Sequence, residues 1–115
     1  MRVLIVDDHP SFRASARKLL ESEGYEVVGE AADGAEALAA VEELHPDVVL
    51  LDIQLPDLDG CEVAARLAEN EDPPRVILTS SRDAGDYGAC IDKCGARGFV
   101  PKAELSGAVL TTLLG

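Results

Sequence analysis

The stretch VVLLDIQLPDLDG, residues 48–60, decides how the rest of the chain is read. Its first four residues are apolar without alternation and end at Asp52, the pattern of a short strand covered on both faces, as in a parallel sheet. Pro56 and Gly60 then break the run, and Asp59 with Glu62 has the spacing of a capping box at the start of a helix. The stretch therefore describes strand, loop and helix entry in thirteen residues.

Outward from it, the same succession repeats. VLIV at 3–6, a weaker EVVGEA around Val27 and Val28, VIL at 76–78 and GFV at 98–100 are further strand candidates. Between them, Phe12, Ala16, Leu19 and Leu20, then Ala37, Val41 and Leu44, then Val63 and Leu67, and finally Leu105, Val109 and Leu113 recur at helical spacing. Pro10 suits a first helical turn, Gly24 a helix stop, and Asp33 with Glu36 a second capping box. Five alternations of strand and helix predict an α/β fold: one doubly wound, five-stranded parallel sheet with helices on both faces. The helix expected over 83–94 is the weakest, because Gly85 and Gly88 each cost about 1 kcal/mol relative to alanine.

At 115 residues and 47% hydrophobic, the chain fits one domain, 1–115, with one core. No apolar run reaches membrane-spanning length and the N-terminus lacks signal-peptide architecture, so the expected location is cytoplasmic, with no membrane partner. The net charge is −12, and no Lys or Arg falls between Lys18 and Arg66, a stretch holding thirteen acidic residues. Such a surface repels phosphate backbones, which argues against direct nucleic-acid binding by this chain. Cys61, Cys90 and Cys94 are odd in number and form no CxxC, so they are expected to be buried thiols, neither a disulfide framework nor a zinc site.

Ligands of an open parallel sheet bind beyond the carboxyl ends of its strands. There the sequence places Asp7 and Asp8 after the first strand, Asp52 after the third, Thr79, Ser80 and Ser81 after the fourth, and Lys102, through Pro101, after the fifth. Strand-end acids also serve as helix caps, but four such positions meeting at one edge favour a site. Clustered carboxylates repel one another unless they share a cation, and hard oxygen donors select Mg²⁺ or a similar ion with a phosphate as remaining ligand. One carboxylate could then attack phosphorus while Lys102 and a hydroxyl stabilise the equatorial oxygens.

With VLIVDDHP, VVLLDIQLPDLDG, VILTSS and GARGFVPK in place, the chain resembles, over essentially its whole length, the receiver domain of two-component response regulators. The resemblance implies a flavodoxin-like (βα)5 fold with strand order 2-1-3-4-5; that order belongs to chemotaxis members of the family and is not a reading of these residues. It implies that Asp52 is the phosphorylated residue, accepting its group from a sensor histidine kinase or a small phosphodonor. Mg²⁺ or Mn²⁺ would be held by Asp8, Asp52 and the Gln54 carbonyl, and by Asp7 through water. Lys102 and Ser80 complete the catalytic set. Thr79 is the alternative hydroxyl, and the spacing back from Lys102 favours Ser80. Ser80 and Phe99 would form the switch, acting on the face made by the helix expected over 83–94, the fifth strand and the last helix. Arg82 and Gln54 fall where the family tunes the lifetime of the phosphoryl group.

Departures from the family pattern matter too. Ala103 follows Lys102 where many relatives have proline, and DDHP with KAEL resembles the subfamily that carries a helix-turn-helix effector. No effector domain is expected within 1–115, so the chain is read as a stand-alone receiver or one cut before an output domain. An output protein or a DNA-binding effector, and a phosphorylation-dependent homodimer, are the further partner expectations. His9 is read as structural. The chain is not expected to be an enzyme: a dehalogenase-type phosphatase would need a carboxylate where Gln54 stands, and a flavin carrier would need aromatics and a phosphate loop. A phosphorylation-independent interaction module is the remaining alternative, and the complete set Asp7, Asp8, Asp52, Ser80 and Lys102 weighs against it.

Overall fold

The structure is a computed structural model that describes residues 1–81 and 98–114. Five strands, β1 (Arg2–Val6), β2 (Glu26–Ala31), β3 (Val48–Asp52), β4 (Arg75–Ser80) and β5 (Gly98–Pro101), form one parallel sheet in the order β2-β1-β3-β4-β5. Helices α1 (Pro10–Ser22), α2 (Gly34–Leu44), α3 (Gly60–Ala68) and α4 (Gly107–Leu114) accompany it among the described residues, with a 3-10 turn at Lys102–Glu104. The expected order 2-1-3-4-5 is the observed one. The helix expected over 83–94, with Arg82, Cys90 and Cys94, lies outside the described residues.

Unbroken apolar strands deliver side chains alternately to the two faces. Leu4, Val6, Val49, Leu51, Val76 and Leu78 pack with α2 and α3 residues such as Ala37, Val41, Val63 and Leu67. Val3, Ile5, Val48, Leu50, Ile77 and Val100 pack on the other face with Ala16 and Leu20 of α1 and Leu110 of α4. β2, at an edge, is only partly buried, which matches its weaker signal. Its register against β1 slips between Val3 and Leu4, leaving Val28 as the extra residue of a bulge.

Helix ends follow the sequence in their caps, although neither capping box closes reciprocally: Glu36 accepts from the Ala32 N–H at 3.2 Å. Pro10 opens α1, Gly24 (φ +90°) follows its end, and Asp33 caps α2 by accepting from the Glu36 amide at 2.8 Å. Asp59 caps α3 through the Cys61 amide, and Glu62 pairs with Arg66 rather than closing a reciprocal box.

β1 and β3 are neighbours, Val6 aligned with Leu51, so the residues one step further, Asp7 and Asp52, emerge side by side. The chain reverses its direction of sheet growth here, β2 lying on one side of β1 and β3 on the other, and such a switch point opens a crevice at the strand ends.

Candidate functional site

Asp7 and Asp52 are buried, Asp8 and His9 exposed, and one ligand atom from each of the four lies within 4.8 Å of the others. His9 Nδ1 sits 3.1 Å from Asp7 Oδ1 and 3.0 Å from Asp8 Oδ1. His9 is also the residue preceding α1, and its backbone N–H donates to Asp7 Oδ1, so the residue read as structural shapes this end of the cluster directly. The donor set fits a hard divalent cation: three carboxylates on a rigid strand edge, with the backbone of Gln54 one residue beyond Ile53.

Lys102 is brought in from the opposite side by β5. Its Nζ lies 2.6 Å from Asp7 Oδ2 and 3.1 Å from Asp52 Oδ2, and 4.6 Å from the centre of the Phe12 ring. Asp7 Oδ2 makes no aligned hydrogen bond among the described residues, so this ion pair compensates its burial. Burial pushes the Asp52 carboxyl above the usual carboxylate range; the Gln54 amide, donating to Oδ1 at 3.0 Å, and the Lys102 charge oppose that rise without cancelling it. For Lys102 burial acts downward, and the contact with Asp7 and the charge of Asp52 outweigh it, holding the ammonium above its ordinary range.

Both hydroxyl candidates are buried at the end of β4. Thr79 is aligned with Asp52 on β3, and Ser80 with Pro101 on β5. By strand alternation Ser80 shares a face with Leu78, whose β5 partner Phe99 packs into the α2 and α3 side of the core. Ser80 and Phe99 are therefore on one face of the sheet and Thr79 on the other.

Two features were not read from the sequence. The loop after Asp52 folds back on itself, with Gln54 bridged to Asp59 and the Gly60 N–H donating to the Ile53 carbonyl at 2.7 Å, and Asp57 at its tip reaches the start of α2. The Pro-Asp pair at 56–57 signals a turn, but a partner 23 residues away leaves no local mark. Cys61, expected to be a buried thiol, is half-buried and disulfide-bonded, its partner lying outside the described residues. The spacing of the cysteines does not mark Cys61 for a bridge, because pairing depends on the fold and not on spacing.

Residues 3–113 match the response regulator receiver domain. Over 103 residues the chain is 43% identical to BvgA of Bordetella pertussis, named for positive regulation of virulence-factor transcription, covering 90% of this chain and 49% of BvgA. The signal receiver domain of NarL from Mycobacterium tuberculosis superposes with a TM-score of 0.85 at 42% identity, covering 99% of this chain and 96% of that one. A LuxR-family two-component response regulator from Aurantimonas superposes with a TM-score of 0.86 at 34% identity, over 99% and 85% of the two chains. The chain spans about half the length of the curated relatives it matches. Among the described residues no helix is long and apolar enough to cross a membrane. With this fold, this strand-end cluster and these relatives, the chain belongs to the response regulator receiver domain family.

Proposed function

We propose that the chain is the phosphoacceptor module of a two-component system, in which Asp52 takes a phosphoryl group from a sensor histidine kinase or a small phosphodonor. The observation that carries this reading is the place of Asp52: buried at the centre of the sheet edge, beside Asp7, with Lys102 Nζ 3.1 Å from one of its oxygens. A carboxylate oxygen of Asp52 attacks phosphorus, the bond from phosphorus to the donor's leaving atom breaks, and the pair of electrons departs with the leaving group. Asp8, Asp52 and the Gln54 carbonyl would hold Mg²⁺ or Mn²⁺ directly, with Asp7 acting through water. When bound, that cation neutralises the carboxylate cluster and the phosphoryl oxygens. Lys102 holds its ammonium against the oxygen side of Asp52, and the Ser80 hydroxyl donates to a phosphoryl oxygen.

The signal would leave through Ser80 and Phe99. Their common face of the sheet supports the pairing: as the hydroxyl moves toward the phosphoryl group, space opens for the ring, and the surface around β5 and α4 changes. Residues 1–115 act as one receiver unit, passing this change to an output protein, a DNA-binding effector or a second copy of the chain. Regulation of transcription by BvgA supports an effector of that kind.

Incubation with acetyl phosphate and a Mg²⁺ salt, followed by intact mass spectrometry, tests the proposal. One stable added phosphoryl group is expected. Steady phosphate release from small esters without an added mass would instead indicate a hydrolase.

A further inference from the structure

We infer that Asp57 is a positioning residue for the phosphoacceptor loop, clamping the tip of that loop onto the first turn of α2 so that Asp52 and the Gln54 backbone keep a cation-competent arrangement. The inference rests on the function proposed above and adds a residue to its machinery.

The hydrogen bonds at the start of α2 show how complete the clamp is. A helix begins with four N–H groups that have no partner within it. In α2 the Gly34 N–H donates to Asp57 Oδ1 at 2.7 Å and the Ala35 N–H to Asp57 Oδ2 at 3.0 Å. The Glu36 N–H goes to the Asp33 side chain at 2.8 Å, and the Ala37 N–H makes the helix's own first i→i−4 bond, to the Asp33 carbonyl at 3.0 Å. Two of the four are thus satisfied by a residue 22–23 positions away in another loop, using both carboxylate oxygens. Asp57 Oδ1 also accepts from the Leu58 N–H at 2.8 Å, which fixes the carboxylate relative to its own backbone. The Gly34 amide is the leading cause that holds the Asp57 carboxyl below the usual range, although the residue is exposed.

Packing reinforces the clamp. A Cβ at Gly34 would lie 2.8 Å from the Leu58 Cβ, so the start of α2 and the Leu58 side chain meet at a distance that an added Cβ would violate. At its base the loop is closed by the Gln54 to Asp59 bridge and the Gly60 to Ile53 hydrogen bond. The tip has Asp57 in place of such a closure. Without it, the tip of the loop that begins with the Gln54 amide on Asp52 Oδ1 loses both carboxylate contacts with α2.

The test compares Asp57→Ala, Asp57→Asn and Asp33→Ala with the wild type. Mg²⁺ affinity is read by calorimetry, phosphorylation by acetyl phosphate, stability by urea, and amide exchange over residues 53–60 by mass spectrometry. Supporting residues behind metal ligands typically contribute about 10-fold or more in affinity, so Asp57→Ala should weaken Mg²⁺ roughly 10-fold, slow phosphorylation and lose protection over 53–60. Asp57→Asn, which keeps one acceptor oxygen, should recover part of each. Asp33→Ala removes a cap from the same helix end without touching the loop; it should lower the urea midpoint and leave Mg²⁺ affinity and loop exchange unchanged. Wild-type affinity and loop protection in Asp57→Ala, or an equal loss in Asp33→Ala, would overturn the inference. A wild type that neither binds Mg²⁺ nor accepts a phosphoryl group would overturn the proposed function, and exchange over 53–60 would then decide the role of Asp57 by itself.

Discussion

The ammonium of Lys102 lies 3.1 Å from Oδ2 of Asp52, a contact between residues 50 positions apart. The same ammonium reaches Asp7, so one cation stands between two buried carboxylates. Lys102→Met should leave both carboxylates without it. Removing one partner of a buried pair costs about 3–5 kcal/mol, and the partial exposure of Lys102 places the expected loss at the low end, about 3 kcal/mol at pH 7. Urea unfolding in chelator measures it, and an unchanged midpoint would show that the ion pair does not stabilise the fold.

Asp52→Asn should have the opposite sign in metal-free protein. The folded carboxyl titrates above the ordinary aspartate value of 3.8, so the folded state holds the proton more tightly than the unfolded chain. Stability from this group is present in acid, is lost as pH rises through the raised folded value, and stays lost at neutral pH. The asparagine variant, which carries no such charge, should therefore melt higher than wild type at pH 7 in chelator. The gap should close as pH falls through the raised value toward 3.8. A variant that melts lower at pH 7 would mean the site already neutralises Asp52 fully.

Mg²⁺ should act on the two proteins unequally and favour wild type. At tenfold excess over its dissociation constant, a ligand that binds only the folded state adds about 1.4 kcal/mol. For a domain of this size each kcal/mol shifts the melting temperature by roughly 4–8 °C. Wild type should show this gain and Asp52→Asn a smaller one, at matched ionic strength. Equal responses of the two proteins would place the cation elsewhere.

Gly60→Ala tests the base of the phosphoacceptor loop. An added Cβ would meet the carbonyl oxygen of Asp52 and lie 2.5 Å from the Ile53 Cα, and backbone atoms cannot swing aside as a side-chain end can. Overpacking of this kind costs about 1–3 kcal/mol, and the backbone that must give way includes that of Asp52. The urea midpoint and the acetyl phosphate rate should fall together. A variant with wild-type stability would show that α3 can shift without disturbing the site.

Strand positions were legible because VLIV and VVLL are short apolar runs rich in β-branched residues, too short for helices and bounded by polar residues. The convergence of Asp7, Asp8, Asp52 and Lys102 followed once those strands were taken as parallel, since each residue lies at or just beyond the end of one of three strands. What the residues alone left open was long-range: the strand order came from resemblance, and the Asp57 clamp joins segments with no common pattern. The Asp59 and Glu62 pair had capping-box spacing, yet Glu62 turned to Arg66, showing that spacing permits a bond without selecting it. Cys61 differs for a related reason: a bridge depends on which elements the fold brings together, and no local signal carries that.

The role of Asp52 is tested most simply by the intact masses of wild type and Asp52→Asn after incubation with acetyl phosphate and Mg²⁺. One added phosphoryl group is expected on wild type, located to Asp52 by peptide mapping, and none on the variant. A wild type that gains no mass, or an Asp52→Asn variant that still gains it on Ser80 or Asp8, would contradict the assignment of Asp52 as phosphoacceptor.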